Sequence, residues 1–157
     1  MHENDLHHLR TALDLAAAAR AHGNHPFGAL LVGENNEVLL KAENTVVTAK
    51  DCTGHAETNL MRMASAQFSP EELQGCTLYT STEPCAMCAA AIHWGNVRRV
   101  VFALAADDLY ALIGEPEDAL NLPCREVFNR SARIVDVLGP AEELSAAARQ
   151  VHEGFWA

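Results

Sequence analysis

Two pairs of residues carry the chemistry this sequence can do. Cys85 and Cys88 stand at i and i+3 directly after Pro84, and His55 and Glu57 stand at i and i+2 at the head of another helical run. On a helix, residues three apart share a face, so both sulfurs point the same way. Pro84 suits the start of such a helix, where its missing N–H costs nothing. The unpaired N–H groups of that first turn carry positive partial charge, which lowers a thiol's pKa and favours the metal-binding thiolate. Two thiolates and one neutral imidazole suit Zn²⁺, and three protein ligands leave the fourth tetrahedral position open to water.

Residues i and i+2 lie about 200° apart around a regular helix, so His55 and Glu57 converge on one site only where the helix is just beginning. Glu57 is then beside the metal without binding it. A carboxylate there can take a proton from water, deliver it to a ring nitrogen and later protonate a departing amine, which is the chemistry of hydrolytic deamination. Two other readings stay open on these residues. A lone C-x-x-C can be a pair of buried helix cysteines or a redox pair. Cys52, three before His55, could close a four-ligand shell and make the zinc purely structural, although such a site has no use for Glu57.

H-x-E together with P-C-x-x-C is the signature of zinc-dependent nucleobase deaminases, and the chain carries "HAE" at 55–57 and "PCAMC" at 84–88. With "HPFGALLV", "AENTVV", "GHAE" and "LYTSTEPCAMCAAAIHWGNVRRVVFA" the sequence resembles the cytidine deaminase superfamily, in the branch of bacterial guanine deaminase and the tRNA adenosine deaminases. The resemblance implies His55, Cys85 and Cys88 as zinc ligands and Glu57 as proton shuttle. It implies that Asn44, eleven before the histidine, holds the base, that the backbone N–H of Ala56 faces it, and that Phe27 lines the pocket. It also implies an α/β fold, three layers α/β/α around a mixed sheet of about five strands, and a homodimer. Within the branch, guanine deaminases bring a C-terminal aromatic to the active site, and "GFWA" offers Phe155 and Trp156 as a cap on the base or, equally, as an anchor for the last helix. Their substrate-reading aspartate falls near Pro116, so Asp107, Asp108 or Glu115 are the candidates to replace it.

The elements that must position these residues follow from periodicity. Leu6, Leu9, Leu13 and Ala16 or Ala17 recur at helical spacing over 6–21, with Gly23 to stop the run. "PFGALLV" and "EVLLKAENTVV", joined by "GENNE", read as a hairpin. Then come a helix over 55–67, a strand over 77–81, a helix over 85–94 and a strand over 97–104. A strand–helix–strand unit joins parallel strands and calls for helices on both faces of the sheet. Gly114, Pro116 and Pro123 interrupt 106–130, where a short helix is expected at 125–130; a last strand at 133–139 and a last helix at 141–152 close the chain. His93 reads as a partner for its helix C-terminus, Trp94 as a core aromatic, His25 as a solvated loop residue, and Cys76 and Cys124 as packing.

Composition narrows the partner. The chain of 157 residues, 49% hydrophobic, suits a single domain, and five cysteines are an odd number for a disulfide framework. A formal charge of -10 disfavours a polyanionic partner, tRNA included. No apolar run spans a bilayer and no secretory signal is evident, so a cytoplasmic protein is expected. The expected activity is release of ammonia from a small purine base or nucleoside, with cytosine or tRNA adenosine as alternative substrates and a structural zinc module as the non-enzymatic reading.

Overall fold

A computed structural model describes residues 1–156. Helix α1 (Glu3–Ala21) begins at a capping box in which His2 accepts from Asn4 N–H and Asp5 accepts from His2 N–H. Its stripe Leu6, Leu9, Leu13 and Ala16 is buried as the spacing predicts. So is Asp5, whose carboxylate receives a two-pronged bond from Arg99 at 2.9 and 3.0 Å and the Tyr79 hydroxyl at 2.7 Å, tying the helix to the sheet.

Strands β1 (Gly28–Val32) and β2 (Val38–Glu43) form the expected hairpin, and β3 (Thr77–Thr82), β4 (Arg99–Leu104) and β5 (Asp136–Leu138) complete a five-stranded sheet of order β2-β1-β3-β4-β5. The pairs β2–β1 and β1–β3 are antiparallel; β3–β4 and β4–β5 are parallel. The sheet is therefore mixed, and the crossover from β3 to β4 is the expected helix, α5 (Ala86–Trp94). Strand alternation divides the core. Leu31, Leu78, Val100 and Phe102 face α3 (Ala56–Gln67), α5 and α7 (Cys124–Asn129), whereas Leu30, Val32, Tyr79 and Val101 face α1 and α8 (Ser145–Gln150). The result is the three-layer α/β/α arrangement. Gly28 is where α1 crosses closest: a Cβ there would lie 2.4 Å from Leu15 Cβ and 2.7 Å from the Ala12 carbonyl oxygen.

Several elements depart from expectation for local reasons. Val46–Ala49 form a short helix, α2, instead of extending β2. Asn44 Oδ1 accepts from Val46 N–H, and Asn24 Oδ1 accepts from Val47 and Thr48 N–H, so capping side chains override the strand preference of Val and Thr. Helix α4 (Pro70–Gln74) was not anticipated, although Ser69 caps it and Pro70 opens it. The interrupted segment contains α6 (Ala106–Ile113), stopped by Gly114 at φ 86°. The closing helix splits into a 3-10 turn (Glu142–Leu144) and α8. Trp94 is 77% exposed, not a core aromatic, because it is the last residue of α5 and turns away from the sheet. His93 bonds Ser131 Oγ at 3.1 Å, while Cys76 and Cys124 are buried among apolar side chains as expected. Among the described residues, no helix is long and apolar enough to cross a membrane.

Candidate metal centre

Helices α3 and α5 lie on the same face of the sheet and direct their N-termini to one place. His55 is the N-cap of α3 (φ -70°, ψ 149°) and Cys85 the N-cap of α5 (φ -68°, ψ 173°), each in extended backbone just outside its helix. Cys88 follows on the first turn of α5 and is fully buried. His55 Nδ1 lies 3.5 Å from each sulfur, and the three ligand atoms all fall within 4.8 Å of one another. With Zn–N near 2.05 Å and Zn–S near 2.3 Å at a tetrahedral angle, a nitrogen and a sulfur on one zinc stand about 3.6 Å apart. The donor set fits zinc in kind and in spacing. Among the described residues this is the one His/Cys/Asp/Glu group with metal-holding geometry, and Cys52, weighed as a fourth ligand, is exposed and outside it.

The electrostatics suit a cation. Hydrogen bonds from Cys88 and His55 push Cys85 down to about 4, and the same hydrogen bond between the two side chains pushes Cys88 up, which favours one thiolate in the pair. Thr58 Oγ1, one turn into α3, contacts Cys88 Sγ at 3.2 Å. Glu57 is 6% exposed. Burial, then the negative charge of Cys85, lifts its carboxyl to about 7 against the opposing pull of His55.

One residue not anticipated from sequence secures the start of α3. The Asn59 amide donates to the Glu43 carbonyl at 3.0 Å, Thr45 Oγ1 at 2.9 Å and the Gly54 carbonyl at 3.3 Å. It thereby joins the end of β2 to the turn that carries His55. No motif marks it, since an asparagine inside an apolar helix reads only as a polar face.

Two adjoining cavities open from the centre. The inner one, about 100 Å³, is lined by His55, Glu57 and Cys85 together with Phe27, Thr82 and Glu83, and is roofed by α6 and the loop to Leu122. The outer one, about 380 Å³, adds Asn44, His25, Pro116, Asp118 and Trp156. Asn44 is 1% exposed; its oxygen is engaged by Val46 N–H, and among the described residues its amide nitrogen has no hydrogen-bond partner. The asparagine thus both turns the backbone and borders the cavity. Phe27 lines both cavities. Ala56, the first residue of α3, is fully buried and lines neither; what it presents is a first-turn N–H that no side chain caps.

The tail divides. Trp156 reaches the outer cavity and donates from Nε1 to His152 Nδ1 at 3.1 Å. Phe155 does not line either cavity: its ring packs on Trp156 and beneath the Arg20 guanidinium, so of the two aromatics proposed as a cap it is the anchor. The acidic candidates also resolve otherwise. Asp107 accepts from Asn121, Asp108 pairs with Arg149, and Glu115 is exposed; the carboxylate at the outer cavity is Asp118. His25 is not simply solvated but half-buried against Trp156, and burial followed by the charge of His55 lowers its pKa.

Residues 2–104 match the family model described as the cytidine and deoxycytidylate deaminase zinc-binding region. A Schizosaccharomyces pombe protein described as a probable cytosine deaminase is 38% identical over 98% of this chain and 93% of its own length. The guanine deaminase of Bacillus subtilis is 32% identical over 76% of this chain and 83% of its own. Among solved structures, one from a study of A-to-I editing by tRNA:A34 deaminases superposes with a TM-score of 0.72 at 26% identity, covering 93% of this chain and 99% of that one. A helix-tip pair of thiols, an imidazole and a buried carboxylate thus meet in a fold and sequence shared with named deaminases of three specificities, and the chain belongs to the cytidine and deoxycytidylate deaminase family of zinc-dependent enzymes that hydrolyse carbon–nitrogen bonds.

Proposed function

We propose that the whole chain is one deaminase domain acting on a small free heterocycle, a guanine-type purine base or nucleoside, in which His55, Cys85 and Cys88 hold Zn²⁺ and Glu57 moves the protons. The observation that carries this is a carboxylate 6% exposed in the same small cavity as the metal-holding group. Zinc, when bound, supplies an acidified water at neutral pH. Glu57 takes a proton from the attacking water, passes it to the ring nitrogen beside the amine-bearing carbon, and delivers the second to the departing nitrogen. Water and the amino-heterocycle thereby become the oxo-heterocycle and ammonia. Phe27 packs against the ring, the uncommitted amide nitrogen of Asn44 and the free N–H of Ala56 bond its polar edge, and Trp156 covers the mouth with Phe155 holding it in place.

Two observations favour a small substrate. The inner cavity holds about 100 Å³, below the ~300–1,000 Å³ of sites for drug-sized ligands, and the chain's -10 charge opposes a phosphate backbone. Cytosine is the second reading, supported by the near full-length similarity to the S. pombe protein. We also propose a homodimer: Trp94 (77% exposed) and Ile134 (86% exposed) belong to segments that the His93–Ser131 and Asn96–Arg133 bonds hold together, and both offer apolar surface to a second copy.

Ammonia release from a panel of aminopurines and aminopyrimidines tests the enzymatic reading. Zinc-loaded protein turns over at least one of them, and Glu57→Ala does not. No release from any, with the variant matching wild type, overturns it. A mobility-shift titration with tRNA at two salt concentrations separates the polyanion alternative: tight binding with steep salt dependence supports tRNA as the substrate.

A further inference from the structure

Thr82 ends β3, on the face that Leu78 and Thr80 turn toward α3 and α5, and borders the inner cavity beside Glu57 and His55. It is 4% exposed, and among the described residues its Oγ1 has no hydrogen-bond partner. The neighbouring hydroxyls differ. Thr80 Oγ1 donates to the Gly28 and Thr82 carbonyls, Ser81 Oγ accepts from Gly28 N–H, and the Tyr110 hydroxyl, also at the inner cavity, donates to the Leu120 carbonyl. A buried hydroxyl without a partner is costly, and folded proteins seldom retain one without a use. The other inner-cavity side chains assign that use. Glu57 and Glu83 offer carboxylate oxygens, Glu83 already accepting from Cys124 N–H, and the remaining wall is mainly apolar. Thr82 is the neutral hydroxyl there that is free to donate.

We propose that Thr82 is a specificity-determining residue whose hydroxyl donates a hydrogen bond to a ring carbonyl of the bound heterocycle. This rests on the inner cavity being the base site, as proposed above. Guanine and cytosine share the feature it would read: in each, one ring nitrogen links the amine-bearing carbon to a carbonyl carbon. Adenine has no carbonyl. The chain therefore favours oxo-amino-heterocycles over amino-heterocycles without the carbonyl, because a site built to donate to an oxygen is left unpaired when the oxygen is missing.

The test compares wild type, Thr82→Val and Thr82→Ser, all zinc-loaded, on guanine against 2-aminopurine and on cytosine against 4-aminopyrimidine, pairs that differ by the carbonyl. For the pair that wild type accepts, Thr82→Val lowers kcat/KM for the oxo substrate by about tenfold or more, a bond worth ~1.4 kcal/mol, and changes the carbonyl-free partner little. Thr82→Ser restores the preference. The Val variant melts at or above the wild-type temperature and keeps its zinc, since it removes an unpaired group and preserves shape. Equal loss on both members of a pair, or an unchanged ratio, overturns the proposal. Equilibrium binding of guanine and 2-aminopurine to zinc-loaded Glu57→Gln, with and without Thr82→Val, reads the same ratio without turnover. A missing carbonyl preference there refutes the role of Thr82, whereas wild type that releases no ammonia from any substrate refutes the deaminase reading.

Discussion

Glu57 shows most directly what one position must reconcile. In the role proposed for it, it needs burial to hold a proton near neutrality and must also stay off the metal, and the second residue of α3 suits both because His55 occupies the cap before it. Glu57→Gln keeps the shape and removes the proton carrier. Turnover is expected to fall by about 10²- to 10⁴-fold, with zinc content by mass spectrometry and melting temperature close to wild type; a loss of zinc alongside activity would make Glu57 a ligand instead. His55, Cys85, Cys88 and Glu57 come together in the structure, a grouping the sequence could suggest because metal chemistry demands fixed residue types at fixed spacing. Thr82 was not legible, because a threonine at the end of a strand looks the same whether its hydroxyl is spent on the backbone or left for a ligand.

The elements matter through their ends, since all four candidate site side chains, His55, Glu57, Cys85 and Cys88, sit within a turn of a helix start. Asn59 is the tether for one of those starts. Asn59→Ala leaves acceptors in the β2–α3 junction unpaired and is expected to cost about 2 kcal/mol, a fall of about 4–8 °C in melting temperature for a chain of this size. Zinc affinity, read by competition with a chelator, drops with it by about 10- to 100-fold. A second tether acts on the tail. Arg20, at the end of α1, donates to the carbonyls of Val151 and Glu153 and lies over the Phe155 ring, which fixes the turn that sets Trp156 over the outer cavity. In a Trp94→Phe background, Arg20→Ala is expected to red-shift the Trp156 emission and raise KM; unchanged emission would show that the tail holds itself. Sequence periodicity found the long helices and the central strands because burial on one face imposes a period. It misplaced Val46–Val47 because the caps on that segment come from Asn44 and, twenty-odd residues away, Asn24. It missed α6 and the loop to Leu122, which line the inner cavity, because Gly114, Pro116 and Pro123 cut the segment into runs too short for a period to stand out.

Across the whole molecule, one buried imidazole couples stability to pH. His152, buried between Phe27 and Trp156, is driven down from 6.5 to about 4 by desolvation, with Arg20 adding to it. Above pH 6.5 the ring is neutral in both folded and unfolded chains. As the pH falls from 6.5 toward 4 the unfolded chain takes up a proton that the folded one refuses, so stability declines by up to about 3 kcal/mol over that window. Urea unfolding at pH 7 and pH 4.5 is expected to show this loss in wild type and a smaller one in His152→Gln. The family match stops at residue 104, where β4 ends. Beyond it, Ala106, Leu109, Tyr110, Leu120 and Leu122 supply one part of the wall of the inner cavity. The proposed reaction machinery and this later part of the wall are consecutive in the chain and share no residue, while Phe27, Thr82 and Glu83 complete the wall from within the matched region, so we expect the later part to be exchangeable as a cassette. Grafting another deaminase's segment between Leu104 and Pro123 should alter what is accepted while leaving the hydrolytic step intact, and drift in that stretch offers a route by which one ancestral catalyst could diversify.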